Sequence, residues 1–324
     1  MASNESINED EFSSLCTYND TVDAYMYPTA YGLFFIFGLP GNCLSLYVAW
    51  VLMRRGNTLA VYLVSLSVSD LLYIITLPVW IMLAIRQPVN DTICSLIEVI
   101  MYNSFYVGSG LLCCISVDRY LAVVFPLHFT KVHKVRTAIL VSTIVWLIEI
   151  VLHIGLLAYT SELQTFSSSR LCDTRIPMTT QSAHAAIVRA VLGFLIPTFL
   201  MAFCFQQIVV SLQKSVSTVA SERQKIRNLL LLLFLIYMVS FTPFQVVMFL
   251  RGLLEPESCD YAKGFRDYYM VFVATTTINS VADPVVYCLM TESAKAEILR
   301  IFTSFRTQFH KTVSIMRSSS SSTA

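Results

Sequence analysis

The sequence is poor in charged residues. Only 13% of its 324 residues are Asp, Glu, Lys or Arg, whereas 56% are hydrophobic, and the mean hydropathy is +0.65. An ordinary soluble domain carries about 25% charged residues, so the composition excludes that class and favours a membrane protein. The net charge of +1 decides little, and we expect no nucleic-acid partner.

Patterns typical of other membrane classes and of enzymes are also missing. The chain has no series of alternating segments of about ten residues, which a membrane β-barrel needs. Its halves show no similarity of the kind found in many transporters, so a seven-helix transporter or channel is only a remote alternative. It has no HExxH or GxSxG motif and no Cys–His metal spacing, so we expect neither an enzyme nor a cofactor.

Long apolar segments are what the sequence does contain. Each is roughly 20 or more residues long, enough to cross about 30 Å of hydrocarbon as a helix with its backbone hydrogen bonds satisfied. We therefore predict an all-α membrane protein, a seven-transmembrane helix bundle occupying residues 27–290. The seven spans lie near residues 28–53, 58–85, 94–125, 138–159, 185–212, 226–250 and 268–290.

Two independent signals indicate an extracellular amino terminus. With that orientation, 15 of the 22 Lys and Arg residues fall on the cytoplasmic side, as the positive-inside rule requires. The glycosylation sequons at Asn4, Asn19 and Asn90 then all lie outside. Residues 1–26 form a glycosylated tail without the apolar region of a signal peptide, so we expect the first span to direct the chain to the plasma membrane.

The nine cysteines divide by their position relative to the membrane. Four of them, Cys16, Cys94, Cys172 and Cys259, lie in outer segments and face an oxidising medium. We expect a Cys94–Cys172 disulfide, which leaves Cys16–Cys259 as the second; four cysteines allow three pairings, and free thiols are the alternative. The other five lie within spans and are expected to act as small buried hydrophobes.

A short amphipathic segment follows the seventh span. Apolar residues alternate there with Lys and Glu at helical spacing, which predicts an eighth helix on the inner membrane surface within residues 291–306. Residues 307–324 form a disordered cytoplasmic tail. Its serine run, 318–322, is a candidate for phosphorylation and arrestin capture, and a simple flexible tail is the alternative.

Short motifs recur in order along the spans, and together they resemble those of rhodopsin-like (class A) G-protein-coupled receptors. The acid–base pair at the end of the third span is the central one, because an unpaired charge at that depth is costly. The motifs are Gly41-Asn42, Leu66-Ser67-Val68-Ser69-Asp70, Asp118-Arg119-Tyr120, Trp146, Pro197, Phe241-Thr242-Pro243-Phe244 and Asp283-Pro284-Val285-Val286-Tyr287.

The resemblance implies a mechanism at the cytoplasmic side. Asp118 holds Arg119 at rest, and Arg119 with Tyr120 meets a heterotrimeric G protein once the sixth helix moves outward. Arrestin and receptor kinases are expected partners as well. The sequence departs from the family at Arg223, where an acid often faces the arginine, and at Phe205, where a tyrosine is common.

Cations in the outer half indicate the ligand. Met101 stands where amine receptors carry an aspartate, whereas Arg189 and Arg251 offer planar forks suited to carboxylate or phosphate. Snorkelling to lipid headgroups is the alternative for both arginines. The residues expected to line an apolar chamber below them are Tyr102, Phe105, Tyr106, Phe244 and Gln245.

Further motifs sharpen the resemblance. They look like those of the proton-sensing and lysolipid-linked receptors, and within that group most like the member associated with oxidised fatty acids, N-acyl amino acids and lysophosphatidylcholine. This resemblance implies a small acidic lipid-like ligand, with membrane lipids around it; a receptor for a peptide, chemokine or nucleotide is the alternative. The motifs are Asn57-Thr58-Leu59-Ala60-Val61-Tyr62-Leu63, Asp70-Leu71-Leu72-Tyr73, Thr76-Leu77-Pro78-Val79-Trp80, Cys114-Ile115-Ser116-Val117 and Val281-Ala282.

Acids within the spans are candidate proton sites. Asp70, Glu149 and Asp283 lie where an ionised carboxylate is expensive, and mutual repulsion would favour protonation further if they lie close together. A sodium site or water network at Asp70 and Asp283 is an equal alternative. His153 and His184 are the only histidines able to face outside, fewer than the strong acid sensors of the group show.

Overall fold

The computed structural model describes residues 21–126, 129, 134–160, 177–214, 220–256, 258–290, 294–300 and 303. Within these ranges, seven long helices account for nearly the whole chain. They are α1 (Thr21–Arg54), α2 (Leu59–Ile74 continued by Leu77–Ala84), α3 (Asp91–Val124), α4 (Val135–Tyr159), α5 (Thr180–Ala190, the π-helical turn Val191–Leu195, and Ile196–Lys214), α6 (Ala220–Leu254) and α7 (Cys259–Met290).

The predicted helical membrane protein is confirmed. Among the described residues, α1 to α6 are each long and apolar enough to cross a membrane. The seventh helix is present too, but Thr275, Thr276, Thr277, Asn279 and Asp283 lower its hydropathy. Its polar side chains face the bundle interior, where Thr276 and Thr277 are 1% and 0% exposed.

The helices form a closed ring around α3. α1 contacts α2 and α7, α6 contacts α5 and α7, and α3 contacts α2, α4 and α5. Polar side chains join neighbouring helices where hydrocarbon offers no water. Ser104 Oγ donates to the carbonyl of Ser69 at 2.9 Å, and the indole N–H of Trp146 donates to Ser65 Oγ at 2.8 Å.

Proline explains where two helices deviate from regular geometry. Pro78 cannot donate to the preceding turn, and α2 breaks just before it. At the break the N–H and the hydroxyl of Thr76 both donate to the carbonyl of Tyr73, at 2.9 and 2.7 Å. In α5, the π-helical turn ends just before Pro197.

The carbonyls that proline leaves without a helical partner are satisfied by other helices. Pro197 leaves the carbonyl of Gly193 free, and Ser109 Oγ of α3 donates to it at 3.1 Å. In the same way Pro284 frees the carbonyl of Ser280, which accepts from Asn42 Nδ2 of α1 at 2.8 Å. The family motif residues therefore join helices to one another.

The ends of the helices correct the predicted boundaries slightly. α1 begins at Thr21, so the expected tail of residues 1–26 is shorter by one turn and a half. Residues 294–300 are helical, as expected for the eighth helix, named α8 here. Arg55, which follows α1, donates to Glu297 of α8 at 2.9 Å and holds α8 against the bundle.

The structure shows the bonding state of the described cysteines and the position of one sequon. Cys94 and Cys259 are both disulfide-bonded, whereas their predicted partners, Cys172 and Cys16, lie outside the described residues. Cys43, Cys113, Cys114 and Cys204 are free thiols. Asn90 is exposed at the start of α3, where its side chain accepts from the backbone N–H of Thr92 at 2.9 Å. Asn4 and Asn19 lie outside the described ranges.

Candidate functional site

The predicted chamber residues come together as a packed aromatic cluster. Phe105 lies at its centre, with ring centroids 5.2 Å from Tyr73, 6.0 Å from Phe241 and 6.2 Å from Phe244. Phe105, Phe244 and the neighbouring Gln245 are all at most 5% exposed. These side chains form the floor of the outer half of the bundle, and they belong to its core.

Arg251 differs from the prediction, because its charge is already engaged. Its guanidinium forms a two-point ion pair with Glu255 one turn along α6, with Nη2 2.9 Å from Oε1, and it stacks 4.4 Å from the ring centre of Tyr269. Glu255 is completely buried and also accepts from the backbone N–H of Met178 at 3.0 Å. Arg251 is thus a structural cation that ties α6 to α7, while Glu255 ties α6 to the segment before α5.

Arg189 is placed differently. Its guanidinium carbon lies 4.2 Å from the centre of the Tyr102 ring, a cation–π contact. No carboxylate of the described residues lies within ion-pairing distance of it, so its charge is available to a ligand. Arg189 therefore remains a candidate for binding an anion, whereas Arg251 already has a carboxylate partner.

An open cleft adjoins Arg189 between α3, α4 and α5. It is shallow: the space that a water-sized molecule can occupy is about 30 Å³, and the larger volume of about 400 Å³ between its walls includes the open surroundings of the bundle. Tyr106 and Arg189 line it, as do two residues predicted as proton sites, Glu149 and His153. Of the predicted ligand residues, then, only Tyr106 and Arg189 face this cleft.

Two of the three predicted intramembrane acids lie together. Asp70 and Asp283 are 3% and 5% exposed and near enough to repel each other. Asn279 Nδ2 donates to Asp283 Oδ2 at 2.9 Å, and the side chain of Ser280 hydrogen-bonds Asp70, whose Oδ2 remains without a partner. Glu149 does not join them, because α4 holds it in the cleft beside Tyr106 and His153.

The pair is compatible with a sodium ion. Asp70 Oδ2, Asn279 Oδ1 and Asn42 Oδ1 are buried oxygens without a hydrogen-bond partner, and hard oxygen donors of this kind suit such a cation. In the ranges that the structure covers, no group of three or more His, Cys, Asp or Glu side chains forms a denser metal site.

The two candidate histidines have different surroundings. His153 is 7% exposed, with its ring centre 6.0 Å from that of Tyr102, so it lies inside the bundle. His184 is exposed, and its Nδ1 lies 3.1 Å from the hydroxyl of Tyr159. Only His184 is therefore open to the outer medium.

The cytoplasmic end is closed. Arg119 contacts Asp118 on the same helix, with Nη2 2.5 Å and Nε 3.1 Å from Oδ2, as the sequence predicted. Beside it, Leu230 of α6 packs against Ile208 and Leu212 of α5, and Tyr120 lies against the same cluster. These contacts hold the first half of α6 against α5 at this end of the bundle.

Sequence reasoning missed several residues of this region. Glu255 could have been found, because an acid four residues after Arg251 on a helix is placed to pair with it. Tyr237, whose hydroxyl lies 2.9 Å from Ser109 Oγ, and Tyr269 gave no comparable signal. Asn103 also lines the cleft, and its Oδ1 is buried without a partner.

Comparison with known proteins agrees with this geometry. The family "7 transmembrane receptor (rhodopsin family)" matches residues 41–287. G-protein coupled receptor 68 from Homo sapiens is 33% identical over 298 residues, covering 91% of this chain and 81% of its own. G-protein coupled receptor 65 from Homo sapiens is 30% identical over 298 residues, covering 86% and 87%, and lysophosphatidic acid receptor 6 from Homo sapiens is 26% identical over 297 residues, covering 88% and 86%.

Proposed function

The chain belongs to the rhodopsin family of seven-transmembrane receptors, and from that membership we propose that an acidic lipid, protons, or both act on it from the extracellular side. It is a G-protein-coupled receptor in a multi-pass membrane topology, and not an enzyme.

The proposal of an acidic lipid ligand rests on the unpaired charge of Arg189. It is a permanent cation well inside a membrane helix, and no carboxylate of the described residues pairs with it. Such a charge is costly unless a counter-ion reaches it, and its two-pronged geometry suits carboxylate or phosphate. Tyr102 beneath it and Tyr106 beside it supply apolar surface for the start of an acyl chain.

The remaining assignments follow the predicted topology. The receptor lies in the plasma membrane with residues 1–26 outside, carrying glycans at Asn4, Asn19 and Asn90. Cys94–Cys172 and Cys16–Cys259 disulfides tie the outer segments, and the disulfide-bonded state of Cys94 and Cys259 supports this. Asp118, Arg119 and Tyr120 serve the heterotrimeric G protein, and receptor kinases and arrestin act on the tail at 307–324.

Protons are the second proposed signal. Asp70 and Asp283 are buried close to each other. Binding of one shared proton or of a sodium ion lowers the repulsion between the two carboxylates. The bound proton or ion therefore favours the conformation in which the two side chains pack most tightly. Glu149 forms a separate site whose neighbours in the cleft are Tyr106, His153 and Arg189. Protonation of Glu149 removes the negative charge that faces Arg189 across this cleft.

Replacing Glu149 by glutamine should therefore change any response to acid. The amide keeps the shape of the protonated side chain and cannot titrate, so we expect the midpoint of the response to move by about one pH unit or the response to be lost. Second-messenger output across the titration is the measurement, with the exposed Asp260→Asn as control. An unchanged curve for Glu149→Gln would remove Glu149 from the mechanism.

A further inference from the structure

The cleft between α3, α4 and α5 opens toward the bilayer. Its rim is formed by apolar side chains that are partly exposed on the outside of the bundle: Leu152 is 37%, Val188 39% and Leu192 44% exposed. In a membrane protein this surface meets acyl chains. The cleft is therefore accessible to a molecule that is already dissolved in the membrane.

The polar groups of the cleft lie along the outer halves of α4 and α5. Arg189 lies about nine residues inside α5 from Thr180, roughly 14 Å at the rise of a helix. Glu149 lies about ten residues from the outer end of α4 at Tyr159, roughly 15 Å. Both charges therefore lie in the outer halves of their helices, inside the predicted spans 138–159 and 185–212, where an unpaired charge is costly.

Neither charge is paired within the described part of the chain. Glu149 and Arg189 face the same cleft, yet no ion pair joins them and neither makes a side-chain hydrogen bond there. Asn103 adds a third unsatisfied group, because its Nδ2 donates to the carbonyl of Val99 at 2.9 Å while its Oδ1 has no partner. The cleft thus contains the hydrogen-bond donors of Arg189 and the acceptor oxygens of Glu149 and Asn103, which the membrane interior does not solvate.

One contact among the described residues joins the segment before α5 to α6 and α7. Glu255 binds the backbone N–H of Met178 and the guanidinium of Arg251, which in turn covers Tyr269. This buried contact holds the segment before α5 against α6 and α7. On the lipid side, the described residues at the rim of the cleft are Leu152, Val188 and Leu192, whose side chains are apolar and are compatible with passage of an acyl chain.

We propose that the cleft is a binding site for a single-chain amphiphile that enters from the outer leaflet. Its anionic head binds Arg189, and a hydroxyl or amide N–H next to that head donates to Glu149 or Asn103. Its chain leaves past Val188 and Leu192 into the bilayer. This inference rests on the proposed binding of an acidic lipid at Arg189, and it adds the route of entry and the second group that the head must carry.

The test is direct binding to the full-length receptor purified into phosphatidylcholine nanodiscs, with empty nanodiscs as background. The probes are radiolabelled palmitic acid, α-hydroxypalmitic acid and methyl palmitate, which differ only at the head. We expect the hydroxy acid to bind about tenfold more tightly than the plain acid, as one well-placed hydrogen bond to a charged group allows, and the ester to show no binding above background.

Three variants separate the route from the site. Arg189→Gln should abolish binding of both acids, and the double variant Glu149→Leu, Asn103→Leu, which has neither acceptor, should lose the preference for the hydroxyl. Leu192→Trp should narrow the mouth and slow association about tenfold. Ile196→Trp is its matched control, because Ile196 is 53% exposed on the same helix, about one turn away, and does not line the cleft.

The outcomes distinguish this inference from the function on which it rests. If Arg189→Gln abolishes binding while Leu192→Trp and the Glu149→Leu, Asn103→Leu double variant bind like the parent, the acid reaches Arg189 from the aqueous side and the lateral site is wrong, but the acidic-lipid function stands. If no acid binds above background, or if Arg189→Gln binds normally, both are wrong. Thermal unfolding of each variant guards against loss of folded protein.

Discussion

Replacing Glu255 by alanine is expected to destabilise the receptor by about 3–5 kcal/mol, because it leaves the Arg251 guanidinium buried without its counter-ion. Arg251 is 6% exposed and Glu255 is completely buried, so water cannot take over the lost contact without opening the structure. The backbone N–H of Met178 loses its acceptor as well. The loss should appear as a fall in Tm of roughly 5–15 °C.

Thiol labelling measures this loss of stability, and a double variant without either charge is the control. Cys113 and Cys204 are buried free thiols, so a thiol-reactive fluorescent dye reports unfolding of the purified receptor. The double variant Arg251→Met, Glu255→Leu removes both charges and should recover most of the stability, apart from about 1 kcal/mol for the unpaired N–H of Met178. If Glu255→Ala unfolds within one degree of the parent, the buried ion pair is not as the structure has it.

Replacing Gly193 by alanine should have the second large effect. An added Cβ would overlap the ring of Tyr106, which is 8% exposed and packed between α3 and α5. Forcing the ring aside costs about 1–3 kcal/mol and displaces a wall of the cleft. The carbonyl of Gly193 also accepts from Ser109, so a shift of this backbone weakens the bond that joins α3 to α5.

A matched glycine shows whether the overlap is the cause. Gly155 lies in α4 with no atom within 4 Å of an added Cβ, so Gly155→Ala should be neutral or stabilising by up to about 1 kcal/mol. In the Gly193→Ala background, Tyr106→Val should restore part of the lost Tm, because the smaller side chain removes the overlap. Equal losses for the two glycine variants would contradict the close contact.

The architecture could be predicted because the bilayer constrains it so strongly. Backbone groups must be satisfied within each span, so hydropathy and length located all seven helices, although α1, α5, α6 and α7 begin five to nine residues earlier than predicted. The motif residues then marked the contacts between helices. Asn42 proved to satisfy the carbonyl that Pro284 frees, and Asp118 proved to hold Arg119, as the family resemblance implied.

The details of the site could not be predicted in the same way. The sequence places both Arg189 and Arg251 in the outer parts of their spans. Only the fold shows that Arg251 pairs with Glu255 while Arg189 faces an open cleft. Glu149 was grouped with Asp70 and Asp283 by its chemistry, although α4 holds it away from α2 and α7. Which helix faces meet is a property of tertiary packing, and a single sequence does not contain it explicitly.

The break in α2 and the π-helical turn in α5 could be predicted in part: the sequence indicates their position but not their form. Pro78 and Pro197 predict that the helix departs from regular α-helical geometry nearby, because each lacks an N–H to donate to the preceding turn. The sequence does not say whether the helix breaks, as α2 does at Ile75 and Thr76, or widens by a π-helical turn, as α5 does. The outcome depends on which neighbouring group satisfies the freed carbonyl, and in α5 that group is Ser109.

The most direct test of the central claim is second-messenger output, with cAMP and inositol phosphate measured together in cells that express this receptor. The cells are titrated from about pH 8 to about pH 6, the range in which physiological acid sensing occurs, with and without added α-hydroxypalmitic acid. Cells expressing Arg119→Ala at equal surface level provide the background. Our account predicts a receptor-dependent response to acid, to the lipid or to both, with the lipid response lost in Arg189→Ala. A receptor that reaches the surface, activates G protein constitutively or with another ligand, and responds to neither stimulus would contradict it.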